Sequence, residues 1–415
     1  MSGKKILMTS WGGNNGTTTL VDSFQREIAK NETRIDVLTH EFLERKRDGT
    51  ARVELRNKEE NIWQGNFLEF LDLTEKNNYD IIDFYSYNFS EWELKKLKEV
   101  NKKAPIIVHV NQILAEVIYN ESLKSKNQAQ QDFHKRLETL PEEEKIKRIK
   151  EGFTSWPATK KQEALLSLAD KLVFSTEDSR ITVRRWYPET INKDNKEIML
   201  PRGSDFYSYN EYESINSEAK KIKEQIGKDT KIIMYSGRII PAKGIQEINL
   251  TFNKIKEKYP ETRLILMGET YAEYGGETSV YSTINSNFIK DVTITDWISE
   301  RKKVAAYLKA ADVLLLPESN NFSMAALEAM MLKTPVIMNN DKGSSEIYIN
   351  PELAYGIKSQ DLETMNYWVN YLFENPERAK DNALRVQSVV QEKYNLESIT
   401  QRTLAMYEEA IREKE

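Results

Sequence analysis

Cysteine is absent from the 415 residues, and histidine occurs only three times, at His40, His109 and His134. The first absence excludes disulfides, thiolate zinc sites, iron–sulfur clusters and a thiol nucleophile. The second leaves too few imidazoles for a multi-histidine metal centre. No apolar run approaches the roughly 18 residues that a membrane span requires. After Lys4 and Lys5 only Ile6, Leu7 and Met8 precede polar residues and glycine, too short a core for a signal peptide, so a cytoplasmic chain is expected. An excess of positive charge is lacking too: the net charge of −5 is the wrong sign for wholesale nucleic-acid binding, and no nucleic-acid partner is expected. What is present is 39% hydrophobic and 30% charged residues, a globular balance, in a length that suits two or three domains.

Short β-branched runs alternate with helical stretches. Strands are expected at 4–9, 34–40, 79–86, 105–111, 171–176 and 196–201, with helices at 17–31 and 91–100. The polar stretch from Gly203 to about Asp229 shows no evident apolar period and reads as a domain junction. The pattern then restarts, with strands at 231–237, 263–268, 291–296, 312–318 and 335–340 and helices that include 300–311 and 323–332. Apolar strands separated by helices imply parallel sheets covered on both faces. The expected fold class is therefore α/β, with two consecutive Rossmann-like doubly wound domains. The expected division is 1–205 and 206–395, with a charged helical insertion at about 112–168 read as two or three solvated helices. The amphipathic C-terminal helix, 396–415, packs back on the first domain.

Three segments could carry chemistry. The first is Gly12-Gly13-Asn14-Asn15-Gly16 after Trp11, between a strand and a helix that opens on a threonine run. Glycines let backbone amides approach a ligand, and a helix start favours an anion. No lysine precedes the threonines, so a nucleotide-triphosphate loop is not expected. The segment is either a cleft floor or a tight turn capped by Thr17. The second is Gly237-Arg238 followed by Lys243-Gly244, at the carboxyl end of the second domain's first strand, where open α/β sheets bind ligands. A guanidinium fork and an ammonium five residues apart can serve one diphosphate, although alone such a pair is an ordinary surface feature. The third is Pro317-Glu318-Ser319-Asn320-Asn321-Phe322-Ser323, leading into a helix with Glu328 in the apolar context MAALEAMML. A glutamate there is buried or functional.

Gly237-Arg238 with Lys243-Gly244, then Asn321-Phe322, Glu328-Ala329-Met330 and Thr334-Pro335-Val336-Ile337, resemble retaining GT-B glycosyltransferases of the family-four (group 1) type. Pro201-Arg202-Gly203-Ser204-Asp205, Leu266-Met267-Gly268, Val173-Phe174-Ser175 and Ser345-Glu346-Ile347 add to the likeness, which runs along essentially the whole chain and is strongest over 231–348. The resemblance implies two Rossmann-like domains facing across a cleft, an acceptor domain first and a nucleotide-sugar domain second. It implies that Arg238 and Lys243 hold the donor diphosphate, that Ser323 and Met324 cap it or touch the sugar, and that Glu328 accepts the ribose hydroxyls. It matches His109 to a histidine facing the donor sugar, although a strand-end histidine satisfied within the fold reads equally well from the residues. Gly13, Gly237, Gly268, Trp297, Asn320 and Phe322 join the donor set, and Gly12, Asn14 and Gly16 the acceptor side.

The activity so implied is transfer of a hexose from a nucleotide-diphosphate sugar, with UDP as the commoner carrier, to a hydroxyl of a glycan, glycolipid or glycoconjugate. It proceeds with retention by a front-face route and needs no cofactor and no metal; no Asp-x-Asp motif occurs. Asn320 stands where the family usually has a carboxylate, which keeps open a weak or inactive partner of another transferase. An epimerase or phosphorylase on the same fold is a third option, the latter without any local pyridoxal signature. Trp92, Lys95, Lys96, Lys98, Lys102 and Lys103 offer a peripheral contact with the inner membrane face. Glu91, Glu93 and Glu99 dilute that charge and suit a solvated helix instead.

Overall fold

The computed structural model describes residues 4–11, 34–40, 52–56, 62–66, 71, 75, 78–85, 91–110, 135–137, 139–141, 144–145, 148, 157–188, 196–204, 209–272, 275–317, 323–340, 355–358 and 360–415. The chain forms two compact units: residues 1–203 with 396–415, and residues 204–395.

The first unit holds an eight-stranded sheet, β1 (Lys5–Trp11), β2 (Arg34–His40), β3 (Arg52–Arg56), β4 (Ile62–Asn66), β5 (Ile81–Phe84), β6 (Ile106–Val110), β7 (Lys171–Phe174) and β8 (Lys196–Met199). Their order is β4-β3-β2-β1-β5-β6-β7-β8. Six strands are parallel; β3 and β4 add an antiparallel meander at one edge that the sequence reading omits, because their polar alternation lacks the continuous apolar run of a strand buried on both faces. Side chains alternate faces with period two. Leu7, Ile82, Phe84, Val108 and Leu172 face α1 (Glu91–Val100), α2 (Pro157–Leu168) and α3 (Glu177–Trp186). Ile6, Met8, Ile81, Ile107 and Val173 face the C-terminal helix, which buries Ile399, Leu404, Met406, Tyr407 and Ala410 against them. Each such side chain contributes about 1.5–3 kcal/mol.

Two expectations are refined here. The end of the charged insertion is a helix, but more than a wet face: α2 buries Leu165 and Leu166 in the core of the first unit. The charged residues Lys160 and Glu163 lie on its exposed face, so composition alone hid the buried stripe. The boundary between the two units does fall at 203/204, but the polar stretch that follows is not without regular structure: it contains α4 (Tyr209–Ile226), an 18-residue helix of the second unit. Its Ile215, Ala219 and Ile222 are buried at helical spacing, two of them against Ala306 and Ala310. The intervening Glu, Lys and Ser residues mask that narrow apolar seam. The expected helix at 17–31 lies outside the described residues.

The second unit has six parallel strands, β9 (Lys231–Ser236), β10 (Thr262–Met267), β11 (Val292–Ile294), β12 (Val313–Leu316), β13 (Val336–Asn339) and β14 (Tyr355–Ile357), in the order β11-β10-β9-β12-β13-β14. Between and after them run α5 (Ile245–Lys258), α6 (Gly276–Tyr281), α7 (Arg301–Ala310), α8 (Met324–Met331), α9 (Leu362–Glu374) and α10 (Pro376–Lys393). The C-terminal helix that returns to the first unit is α11 (Leu396–Lys414). The chain winds outward from β9 through β10 to β11, then crosses to β12 on the other side of β9. The reversal of winding therefore falls between β9 and β12, and in such sheets the loops at the carboxyl ends of those two strands diverge to leave a crevice.

Candidate functional site

β9 and β12 are hydrogen-bonded neighbours, with Val313 opposite Ile233 and Leu314 opposite Met234, so they end at nearly the same level. Arg238 and Lys243 follow β9, and Ser323, Met324 and Glu328 follow β12. The structure thus brings the second and third sequence motifs to the two loops that flank the switch point.

The β9 loop is built on a close backbone approach. Gly237 and Gly268 both adopt positive φ, +148° and +147°. A Cβ on Gly268 would lie 1.9 Å from the Gly237 carbonyl oxygen, so only glycine lets the ends of β9 and β10 meet. The Gly237 amide donates to Met267 O at 2.9 Å and the Ile239 amide to Glu269 O at 3.0 Å. Arg238, between them, is exposed. A single 3₁₀ turn, Pro241–Lys243, follows, and Gly244 at φ +74° leads at once into α5. Lys243 is half-buried at that junction.

After β12, the Ser323 hydroxyl caps α8 by accepting from the Ala326 amide at 3.3 Å. The first intrahelical bond runs from the Leu327 amide to the Ser323 carbonyl at 3.3 Å, so the Met324 and Ala325 amides before it have no partner within the helix and the helix start carries partial positive charge. Ala326, Leu327, Ala329, Met330 and Met331 are buried, whereas Met324, Ala325 and Glu328 are half-buried. Met324 and Glu328, four residues apart, lie on one side of the helix at the margin of the core, where Met324 still packs in part against it. This answers the question posed by a glutamate in an apolar helix: it is at the edge, not in the interior.

Gly268 forms an isolated bridge with Asp296, which brings the chain after β11 beside the glycine pair. Trp297 comes next and is 55% exposed, a large apolar face on the same edge of the sheet, two strands from β9. Asn320 and Phe322, and Glu318 beside them, lie outside the described residues, as do Gly12, Gly13, Asn14 and Gly16. Among the described residues no group of three or more His, Asp or Glu side chains could hold a metal ion.

In the first unit, His109 lies on β6, on the face covered by α11, and is 8% exposed. Its ring stacks on Tyr85 with centroids 3.9 Å apart. Its Nε2 stands 3.2 Å from Oδ1 of Asp83, a fully buried carboxylate on β5, at ion-pair distance though not aligned as a hydrogen bond. Tyr407 of α11 donates its hydroxyl to the other Asp83 oxygen. Burial first, and then the Asp83 charge, push the Tyr85 and Tyr407 phenols well above their usual range, so both stay protonated. Lys171, 1% exposed on the same face, reaches Glu413 at 2.8 Å and Glu409 at 3.5 Å. Sequence reasoning missed Asp83, Tyr407 and Lys171. The available signal was a charged residue inside an otherwise apolar strand, as in Ile81-Ile82-Asp83-Phe84.

The basic stretch of α1 is partly neutralised: Lys96 pairs with Glu99 at 2.5 Å and Lys98 donates to Leu168 O at 3.4 Å. The Trp92 side chain lies outside the described residues. No described helix is long and apolar enough to cross a membrane.

Residues 216–385 match the model of the family described as glycosyl transferases group 1. Among curated proteins, the chain is 24% identical over 229 residues to the capsular polysaccharide biosynthesis glycosyltransferase CapM of Staphylococcus aureus, covering 54% of this chain and 58% of that protein. It is 26% identical over 184 residues to the lipopolysaccharide 1,2-N-acetylglucosaminetransferase of Salmonella typhimurium, covering 43% and 48%. The chain thus spans about half the length of the curated relatives it matches. Among solved structures it resembles the sucrose-phosphate synthase of Thermosynechococcus elongatus, with a TM-score of 0.72, 17% identity and 98% of both chains covered. It also resembles Anabaena HepE in complex with UDP-glucose, with a TM-score of 0.67, 12% identity and 98% and 99% covered. At these identities the structural likeness establishes the fold.

Proposed function

Because residues 216–385 belong to the glycosyl transferases group 1 family and the chain has the GT-B fold, we propose that it transfers a hexose from a nucleotide-diphosphate sugar to an acceptor hydroxyl. The observation that carries this reading is the pairing of loops at the second unit's switch point. A cationic loop after β9 and a helix start after β12 leave neighbouring parallel strands at one level. Arg238, Lys243 and the Met324 and Ala325 amides supply positive potential from two sides, which suits the two negative charges of a bound diphosphate. Glu328, four residues into the same helix face, offers acceptor oxygens to ribose hydroxyls, and the exposed Trp297 offers a surface for a base.

In the proposed reaction the bond between the anomeric carbon and the diphosphate oxygen breaks as the acceptor oxygen bonds to that carbon on the same face. The departing phosphate oxygen takes the acceptor's proton, so no dedicated protein base is required. Arg238, Lys243 and the helix start stabilise the charge that develops on the diphosphate, which is the work a divalent metal does elsewhere. UDP is the proposed carrier, a nucleotide that HepE holds in its complex. The acceptor, a glycan or glycoconjugate, is assigned to the first unit by the sequence resemblance alone. His109 is likewise assigned to the donor sugar by the resemblance alone; its ring stacks on Tyr85 beside Asp83 and is largely buried. Peripheral membrane attachment through α1 has little support, since part of its charge is spent on internal partners.

The test is turnover of UDP-glucose and UDP-N-acetylglucosamine by the wild type and by an Arg238→Ala/Lys243→Ala double variant. Loss of two charge-stabilising donors should cost about 3–6 kcal/mol in kcat/KM. An undiminished kcat/KM removes the cationic loop from the mechanism. Asn320, in place of the usual carboxylate, favours a second reading as a catalytically weak partner of another transferase. Donor binding without transfer or donor hydrolysis would select that reading.

A further inference from the structure

Arg238 is exposed, so packing of its own side chain does not fix its direction. Its backbone does. The Arg238 carbonyl accepts twice, from the Ile240 amide at 3.1 Å and from the hydroxyl of Tyr235 at 2.8 Å. Tyr235 is the penultimate residue of β9 and is 3% exposed. Its ring belongs to the core, but its hydroxyl turns back past Gly237 to meet the loop that β9 itself emits. A Cβ on Gly237 would come within 2.9 Å of that hydroxyl, so the glycine is the gap through which the contact is made. On its other side the same glycine is pressed against Gly268. The arginine-bearing turn is thus held between a neighbouring strand and a phenol beneath it. Burial keeps that phenol protonated, with Arg238 acting in the opposite and lesser sense, so the group is a reliable donor.

We infer that Tyr235 is a positioning residue for the diphosphate site: its hydroxyl holds the Arg238 turn so that the guanidinium is already aimed at an incoming nucleoside diphosphate. The inference rests on the reading of Arg238 under Proposed function and deepens it. A core tyrosine needs only its ring for packing, and a phenylalanine would fill the same volume. What the hydroxyl adds is orientation in advance of binding, which spares a ligand the cost of ordering an exposed loop. In its absence the Arg238 carbonyl still accepts from the Ile240 amide, so the fold loses little while the arginine loses its reference point.

The experiment is a double-mutant cycle in the full chain, with binding of UDP, ADP and GDP each measured by calorimetry. The variants are wild type, Tyr235→Phe, Arg238→Ala and the double substitution. Tyr235→Phe is expected to melt within about 2 °C of wild type and to raise the diphosphate Kd about five- to tenfold. In the Arg238→Ala background the same change is expected to alter Kd by less than about twofold, because nothing is left to aim. If Tyr235→Phe weakens binding equally in both backgrounds, leaves it unchanged while Arg238→Ala weakens it, or unfolds the protein, Tyr235 acts through general stability or not at all and the inference falls while the reading of Arg238 stands. If Arg238→Ala leaves affinity unchanged, or none of the three nucleotides binds the wild type, that reading fails and the inference goes with it.

Discussion

Gly268→Ala isolates the backbone approach on which the candidate site is built. At φ +147° an alanine is strained whatever its surroundings, at about 1–3 kcal/mol. The larger effect is steric. The new Cβ would stand 1.9 Å from Gly237 O, and to restore 3.0 Å the β9 turn must retreat by about 1.1 Å. That movement breaks or stretches the Gly237–Met267 and Ile239–Glu269 backbone bonds, each worth about 1 kcal/mol. A loss of about 3–5 kcal/mol in unfolding free energy follows, together with displacement of Arg238. Gly276→Ala is the control: that glycine also has positive φ, +53°, but its Cβ would meet nothing within 4 Å, so only the left-handed penalty of about 1–2 kcal/mol remains. The assays are urea unfolding and calorimetric nucleotide binding on both variants. If Gly268→Ala is no less stable than Gly276→Ala and binds a nucleoside diphosphate like wild type, the account of the β9–β10 approach is wrong.

Three further outcomes can be checked by equilibrium unfolding. Tyr407→Phe removes a donor from the buried Asp83 carboxylate and should cost about 2–3 kcal/mol; a change under half of that would show that Asp83 does not depend on it. Lys171→Met should stay within about 1 kcal/mol of wild type, because Glu409 and Glu413 keep contact with water when the lysine is gone, whereas Lys171→Ala should cost about 2–4 kcal/mol through the cavity it leaves. Equal losses for the two would mean that charge, not volume, matters there. The Thr364 amide and hydroxyl, which Asp361 caps at the start of α9, hold the Asp361 carboxyl below its ordinary 3.8. Its contribution is therefore present above that value and is lost as pH falls through the lower folded value. Asp361→Ala should be less stable at pH 7 and show a flatter acid limb, and an unchanged limb would refute the assignment.

The strands were legible where burial on both faces demanded unbroken apolar runs, as in Ile232-Ile233-Met234 and Val313-Leu314-Leu315-Leu316. So were the motifs Gly237-Arg238 and Lys243-Gly244, because φ above zero and close backbone approach leave glycine little competition. The helix α4 was not, since a seam of Ile215, Ala219 and Ile222 among many charged residues carries little weight in a linear reading. Strands β3 and β4 were missed for the complementary reason, being a polar meander, with β4 at the sheet edge, joined to the sheet by ladder bonds that any side chain permits.

Residue identity by itself determined that parallel sheets would form, that an arginine and a lysine would leave the end of one strand together, and that no thiol or histidine cluster would do the chemistry. These follow from local periodicity and from side-chain inventory, and neither depends on distant partners. Tertiary structure alone decided that β9 and β12 would be neighbours, that Tyr235 would brace the turn carrying Arg238, and that Asp83 would meet His109 and a tyrosine 324 positions further along the chain. Such contacts join residues from separate elements or across a backbone turn, and their geometry exists only once strand order and register are set by packing.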